Sequence, residues 1–82
     1  MYEIVFTKKA IADIEKLDDS TRSRISQKLK DYSVTPFKFA HKLSDTKIGT
    51  YRFRIGDYRV VFDLMGEKIV ILRIGNRRDI YR

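Results

Sequence analysis

At 82 residues the chain has room for one domain, spanning 1–82, and for no second core. It has no cysteine and a single histidine, His41, which excludes disulfide frameworks, thiolate metal sites and HExxH-type zinc sites and leaves little for a Ser-His-Asp triad. Eighteen Lys and Arg against eleven Asp and Glu give +7, with no signal-peptide pattern and no apolar run of membrane-spanning length; the expectation is a cytoplasmic protein with an anionic partner and no membrane contact.

Residues 2–6 alternate as a short strand with Tyr2, Ile4 and Phe6 on one face. Thr7 is an N-cap for a helix over about 8–17, whose apolar stripe is Ala10, Ile11, Ile14 and Leu17. Asp18-Asp19-Ser20 breaks that stripe and caps a second helix running to Tyr32, with Ile25, Leu29 and Tyr32 inward and Arg22, Arg24, Lys28 and Lys30 flanking. So short a break makes the pair an antiparallel hairpin. Residues 33–49 hold the only proline, Pro36, and no sustained period; they read as a loop that tucks Phe37, Phe39 and Leu43 into the core.

From Thr50 the period is two. Tyr51, Phe53 and Ile55 face one way and Arg52 and Arg54 the other, and Gly56-Asp57 is a two-residue turn. The next strand sets Tyr58, Val60, Phe62 and Leu64 inward and Arg59, Val61 and Asp63 outward. A three-residue turn at Met65-Gly66-Glu67 keeps the apolar side uniform, placing Val70, Leu72 and Ile74 inward and Arg73 outward; a two-residue turn exchanges those faces. The fold class is therefore α+β: strand, two-helix antiparallel hairpin, then a three-stranded antiparallel meander, with the helices on one face of the sheet.

The charge is uneven. Residues 1–46 carry +2 and residues 47–82 carry +5, and in the second part seven of nine basic residues are arginine. The hairpin register sets Arg54 directly opposite Arg59, with Arg52 next on that face. Like charges so opposed destabilise a sheet pair by a few tenths of a kcal/mol, which an anion bound between them explains better than stability does. A solvated face with its arginines splayed apart is the alternative. In the tail, Gly75 ends the strand, Ile80 anchors the segment, and Arg77, Arg78, Tyr81 and Arg82 bring three more cations and a phenol beside Asn76; Asp79 is expected to pair with Arg77 or Arg78. His41 and Asp57 read as loop and turn residues rather than catalysts.

The stretch Tyr51-Arg-Phe-Arg-Ile-Gly-Asp-Tyr-Arg-Val-Val-Phe, with Ile74-Gly-Asn-Arg-Arg-Asp-Ile-Tyr-Arg after it, resembles the RelE/ParE toxin family of toxin–antitoxin pairs. Lys42-Leu43 and the Thr-Lys-Lys-Ala start of the first helix fit as well, and the resemblance covers the whole chain. It implies a toxin held inactive by a RelB-like antitoxin in a hetero-oligomer, without metal or organic cofactor. In RelE-like members the activity implied is cleavage of messenger RNA in the ribosomal A site by 2′-hydroxyl attack. Motif matching then assigns Arg52, Arg54, Arg59, Arg77 and Tyr81 to catalysis and Lys47, Arg73, Asn76, Arg78 and Arg82 to RNA binding. Some ribonuclease members have lysine at Arg52 and Arg54, and many have histidine at Asn76. Arginine stays protonated and an amide shuttles no proton, so Tyr81 and Lys47 are the base candidates. The alternative reading is a binding protein without catalysis: a ParE-like gyrase poison, or an inactive toxin that keeps its antitoxin.

Overall fold

The computed structural model of the chain describes residues 2–43 and 49–80. Elements follow the order β1 (Glu3–Phe6), α1 (Lys8–Glu15), α2 (Asp19–Tyr32), α3 (Pro36–Phe39), β2 (His41–Lys42), β3 (Tyr51–Ile55), β4 (Tyr58–Met65) and β5 (Lys68–Asn76). The strands form one sheet in the order β1-β5-β4-β3-β2. The expected meander is its centre; β1 adds to β5 in parallel, and β2 adds to β3 antiparallel. Ala10, Ile25 and Leu29 from the helices pack on Phe53, Ile55, Val60, Phe62, Ile69, Ile71 and Ile74 from the sheet, so the helices cover one face as expected.

Thr7 caps α1, its Oγ1 accepting from the Ala10 amide at 3.2 Å. The helix ends at Glu15, two residues short of the expected end, with Lys16 as its C-cap. Ile11 leaves the predicted stripe: it is 45% exposed, turned about 100° from Ala10, which takes the buried place. The helical hairpin is locked by Arg22, whose sequence position suggested only a charged flank. Its Nε donates to Ile14 O at 3.3 Å and its Nη2 to Leu17 O at 2.8 Å, capping the end of α1 from the first turn of α2. Arg22→Ala should therefore destabilise the fold by about 1–2 kcal/mol in urea unfolding. Asp19→Ala should be nearly neutral, since the Arg22–Asp19 pair at 3.2 Å lies in solvent.

The expected 33–49 loop contains two short elements. Pro36 pre-sets the first turn of α3 and is buried, while His41–Lys42 pair with Arg52 and Tyr51 as an edge too short to show a period. Phe37 and Phe39 do not enter the core: they are 63% and 38% exposed. Pro36 takes the inward position, which leaves Phe39 to stack on Tyr32 at 4.3 Å and Phe37 to meet Tyr51 edge-on at 6.1 Å.

The β4–β5 connection also differs from expectation. Met65 pairs with Lys68, so the turn has two residues, Gly66 and Glu67, with Gly66 at φ 62°. Ile69 and Ile71 therefore face the core, and Val70 and Leu72 do not. A bulge then restores the phase: Phe62 pairs with Ile71 but Val61 with Arg73, leaving Leu72 as the extra residue and returning Ile74 to the core side. On the other face Val61 is fully buried, covered where Gly49 passes; a Cβ there would stand 2.5 Å from Val61 Cγ1 and 3.0 Å from Leu72 Cδ1.

Candidate nucleic-acid interface

The β3–β4 hairpin has the expected register. Ile55 pairs with Tyr58 across Gly56-Asp57, and Arg54 pairs with Arg59. Arg52 sits opposite Val61, so three guanidinium-bearing positions share the face away from the helices. Gly56 takes φ 61°, as the tight turn demands. Arg59 folds over this turn, its Nη1 donating to Gly56 O at 3.0 Å and Tyr58 O at 2.9 Å, while Arg54 is exposed. Arg52 Nε is shut off from solvent and has no hydrogen-bond partner among the described residues. Arg24, on α2, adds a cation that periodicity offered no reason to place here: its Nη2 lies 3.5 Å from where a Gly56 Cβ would stand.

The tail meets the same turn. Arg77 N donates to Asp57 O at 2.9 Å, one residue past the Tyr58–Asn76 pair that ends the sheet. Asn76 builds the next turn. Its Oδ1 accepts from Arg78 N at 3.0 Å and its carbonyl accepts from the amides of Asp79 and Ile80. Ile80 is buried against Gly75, as its anchoring role predicted. The result is an open cleft of about 990 Å³ lined by Asp57, Tyr58, Asn76, Arg77, Arg78 and Asp79. Arg77 and Arg78 are exposed, and Asp79 makes no ion pair with either among the described residues, contrary to expectation. His41 is an exposed edge-strand residue. Lys47, Tyr81 and Arg82 lie outside the described residues.

Arg73 is engaged elsewhere. Its Nε and Nη2 donate to Oδ2 and Oδ1 of Asp13 on α1 at 2.7 and 3.2 Å, and Ile74 N donates to the same Oδ2 at 2.9 Å. Burial works against the Asp13 carboxylate. The Arg73 hydrogen bond, the Ile74 amide and the charges of Arg73 and Lys16 outweigh that, holding its pKa below the ordinary 3.8. The same contacts raise the pKa of Arg73. Since the unfolded chain binds this proton more readily, the stabilisation is full above the ordinary carboxylate pKa and fades as pH falls through the lower folded value. Asp13→Asn lacks that titration, so its unfolding free energy should fall less steeply than the parent's on acidification below about pH 4, measured by urea unfolding across pH. Asp13 was legible in one respect: three residues after Ala10 and four before Leu17, it is a carboxylate on an inward stripe, which requires a partner.

Among the described residues no group of three His, Cys, Asp or Glu side chains is placed to hold a metal ion, and no helix is long and apolar enough to cross a membrane. Chemically, the arrangement presents guanidinium forks to an anion at the end of the sheet.

Residues 4–81 match the family model described as "ParE toxin of type II toxin-antitoxin system, parDE". The chain is 32% identical to Toxin RelG of Mycobacterium tuberculosis, across 99% of this chain and 97% of that one. It is 26% identical to Toxin RelE3 of Methanocaldococcus jannaschii, across 96% and 94%. Its structure superposes with a TM-score of 0.83 on a chain of the RelBE2 toxin–antitoxin complex from Mycobacterium tuberculosis, at 28% identity over 93% of this chain and 98% of that one.

Proposed function

As a member of the RelE/ParE toxin family, this chain is the toxin of a type II toxin–antitoxin system, and we propose that it is a ribosome-dependent endoribonuclease that cuts messenger RNA in the A site. The observation that carries the reading is the direct opposition of Arg54 and Arg59 beside the Arg77–Arg78 cleft. Like charges held this close are stabilised by an anion, and Arg52 Nε adds a desolvated donor in want of an acceptor. The 2′-oxygen attacks the adjacent phosphorus and the bond to the 5′-oxygen breaks, that oxygen taking a proton from water, leaving a 2′,3′-cyclic phosphate and a 5′-hydroxyl. Arg54, Arg59 and Arg77 stabilise the extra negative charge on the phosphoryl oxygens. Proton removal from the 2′-hydroxyl falls to Tyr81 or Lys47, and Arg78, Asn76 and Arg82 bind the flanking RNA. Arg24 extends the cationic surface onto α2.

The chain acts in the cytoplasm as one domain, and its partner is a cognate antitoxin. Solved complexes of similar toxins with their antitoxins support that partner. An acidic, partly apolar segment that folds on binding fits a chain of charge +7. The test is primer extension on programmed ribosomes incubated with the purified chain, with naked RNA as control. Cuts at the A-site codon that naked RNA lacks support the reading; intact message, where an active relative cuts, rejects it.

A second reading has its own support. The matching family model is that of ParE toxins, and every cation on the hairpin face is an arginine, which cannot serve as a general base. A binding protein that poisons gyrase needs the cationic face but no base. Inhibition of gyrase supercoiling together with intact ribosomal message favours it.

A further inference from the structure

The end of β5 has lost its strand neighbour on one side. β1 pairs with β5 only as far as Phe6 opposite Ile71, yet β5 continues to Asn76. Helix α1 takes over the vacated edge. Thr7 N donates to Ile71 O at 3.0 Å and Thr7 Oγ1 to Leu72 O at 3.3 Å; Asp13 then receives the Ile74 amide and both arms of Arg73. On the opposite edge Gly75 and Asn76 pair with Arg59 and Tyr58. Arg73 and Ile74, just before that end, are thus held between β4 and one carboxylate, whose side chain is only 11% exposed. A cavity of about 340 Å³ lies beside the pair, with Lys16, Leu17, Tyr58, Asn76, Asp79 and Ile80 among its walls.

We propose that Asp13 is a positioning residue of the cleft: through Arg73 and the Ile74 amide it sets the direction in which Asn76, Arg77 and Arg78 leave the sheet. Arg73 on this view serves the tail's geometry rather than gripping RNA. The inference rests on the ribonuclease reading for its effect on catalysis, though not for its effect on the tail. The competing role is a staple between α1 and the sheet that supports the whole fold equally.

Amide hydrogen exchange by NMR on Asp13→Ala and Asp13→Asn separates the two. The informative probes are the tail amides of Arg77, Asp79 and Ile80, bonded to Asp57 O and Asn76 O, against those of Phe53, Val60 and Phe62 in the sheet. Positioning predicts that the tail amides of Asp13→Ala accelerate about tenfold more than the sheet amides, whose rates rise only by the loss of global stability read in urea unfolding. Asp13→Asn, which retains an acceptor for Ile74 but not the charge, should fall between. In single-turnover cleavage at saturating ribosomes, the rate of Asp13→Ala should drop by up to about 10²-fold with half-saturation unchanged. Equal acceleration of tail and sheet amides, or no change in the tail, overturns the proposal. A parent that cuts no message overturns the ribonuclease reading instead, and the exchange measurement still decides the positioning.

Discussion

Replacing Arg77 with alanine should leave a folded toxin that cuts ribosome-bound message about 10²–10³-fold more slowly, the scale at which single donors to a transition-state oxyanion act. The side chain is exposed and its backbone contact to Asp57 O survives the change, so the unfolding midpoint should move by no more than about 0.5 kcal/mol in free energy. Arg77→Lys should recover part of the rate, since a point charge attracts phosphate but lacks the fork that fixes its orientation. Primer extension over time on programmed ribosomes, paired with urea unfolding of each variant, checks both halves. Arg59→Ala is the less clean partner experiment: its guanidinium also bonds Gly56 O and Tyr58 O, and its loss loosens the turn. A loss of fold in Arg77→Ala matching its loss of rate makes the residue structural; full activity removes it from the site.

The parts of this site that sequence made legible are those written in local periodicity. Alternation from Tyr51 to Leu64 around Gly56-Asp57 leaves one register that buries the aromatic residues, so the opposition of Arg54 and Arg59 follows from the chain itself. The run Ile69-Val-Ile-Leu offers no such guide, since every residue is apolar and either face satisfies it. A uniform apolar side favours a three-residue turn only if the ladder is unbroken. The chain instead turns on Gly66 and corrects its phase with a bulge beside Leu72, so that Ile69, Ile71 and Ile74 are all buried. Contacts between distant residues were hidden for another reason. Asp13 and Arg73 stand 60 positions apart, and nothing local to either announces the other. Arg22 looked like a solvated flank because capping of a preceding helix depends on the angle between helices, which periodicity does not encode. Aromatic content alone misplaced Phe37 and Phe39: Pro36 takes the buried place on that short turn, and Phe39 stacks on Tyr32 instead.

The largest stability effect expected in the molecule falls on a ring that is turned fully inward, Phe62. Phe62 is fully buried, stacked at 4.2 Å on Phe53 and at 5.6 Å on Tyr51. Removing the ring deletes the middle of a three-ring stack in a small core, so Phe62→Ala should cost about 3–5 kcal/mol, a large fraction of what a domain of this size possesses. Each kcal/mol moves the melting temperature of so short a chain by about 4–8 °C, which puts the variant's Tm roughly 12–40 °C below the parent's. Phe37→Ala deletes the same ring from a position 63% exposed, with one edge contact to Tyr51 at 6.1 Å, and should cost under about 1 kcal/mol. Thermal melts and urea titrations of the pair decide the matter, and comparable losses would mean that the 36–39 turn is packed inward after all. Phe62 also adjoins the step in register between β4 and β5, while Arg59 projects from the same strand on the opposite face. Its loss should therefore act on the cationic face as well. At a temperature where Phe62→Ala is still folded, the exchange of the Val61 and Arg73 amides should rise ahead of those in the β3–β4 turn, because the bulge has lost the ring that holds its phase.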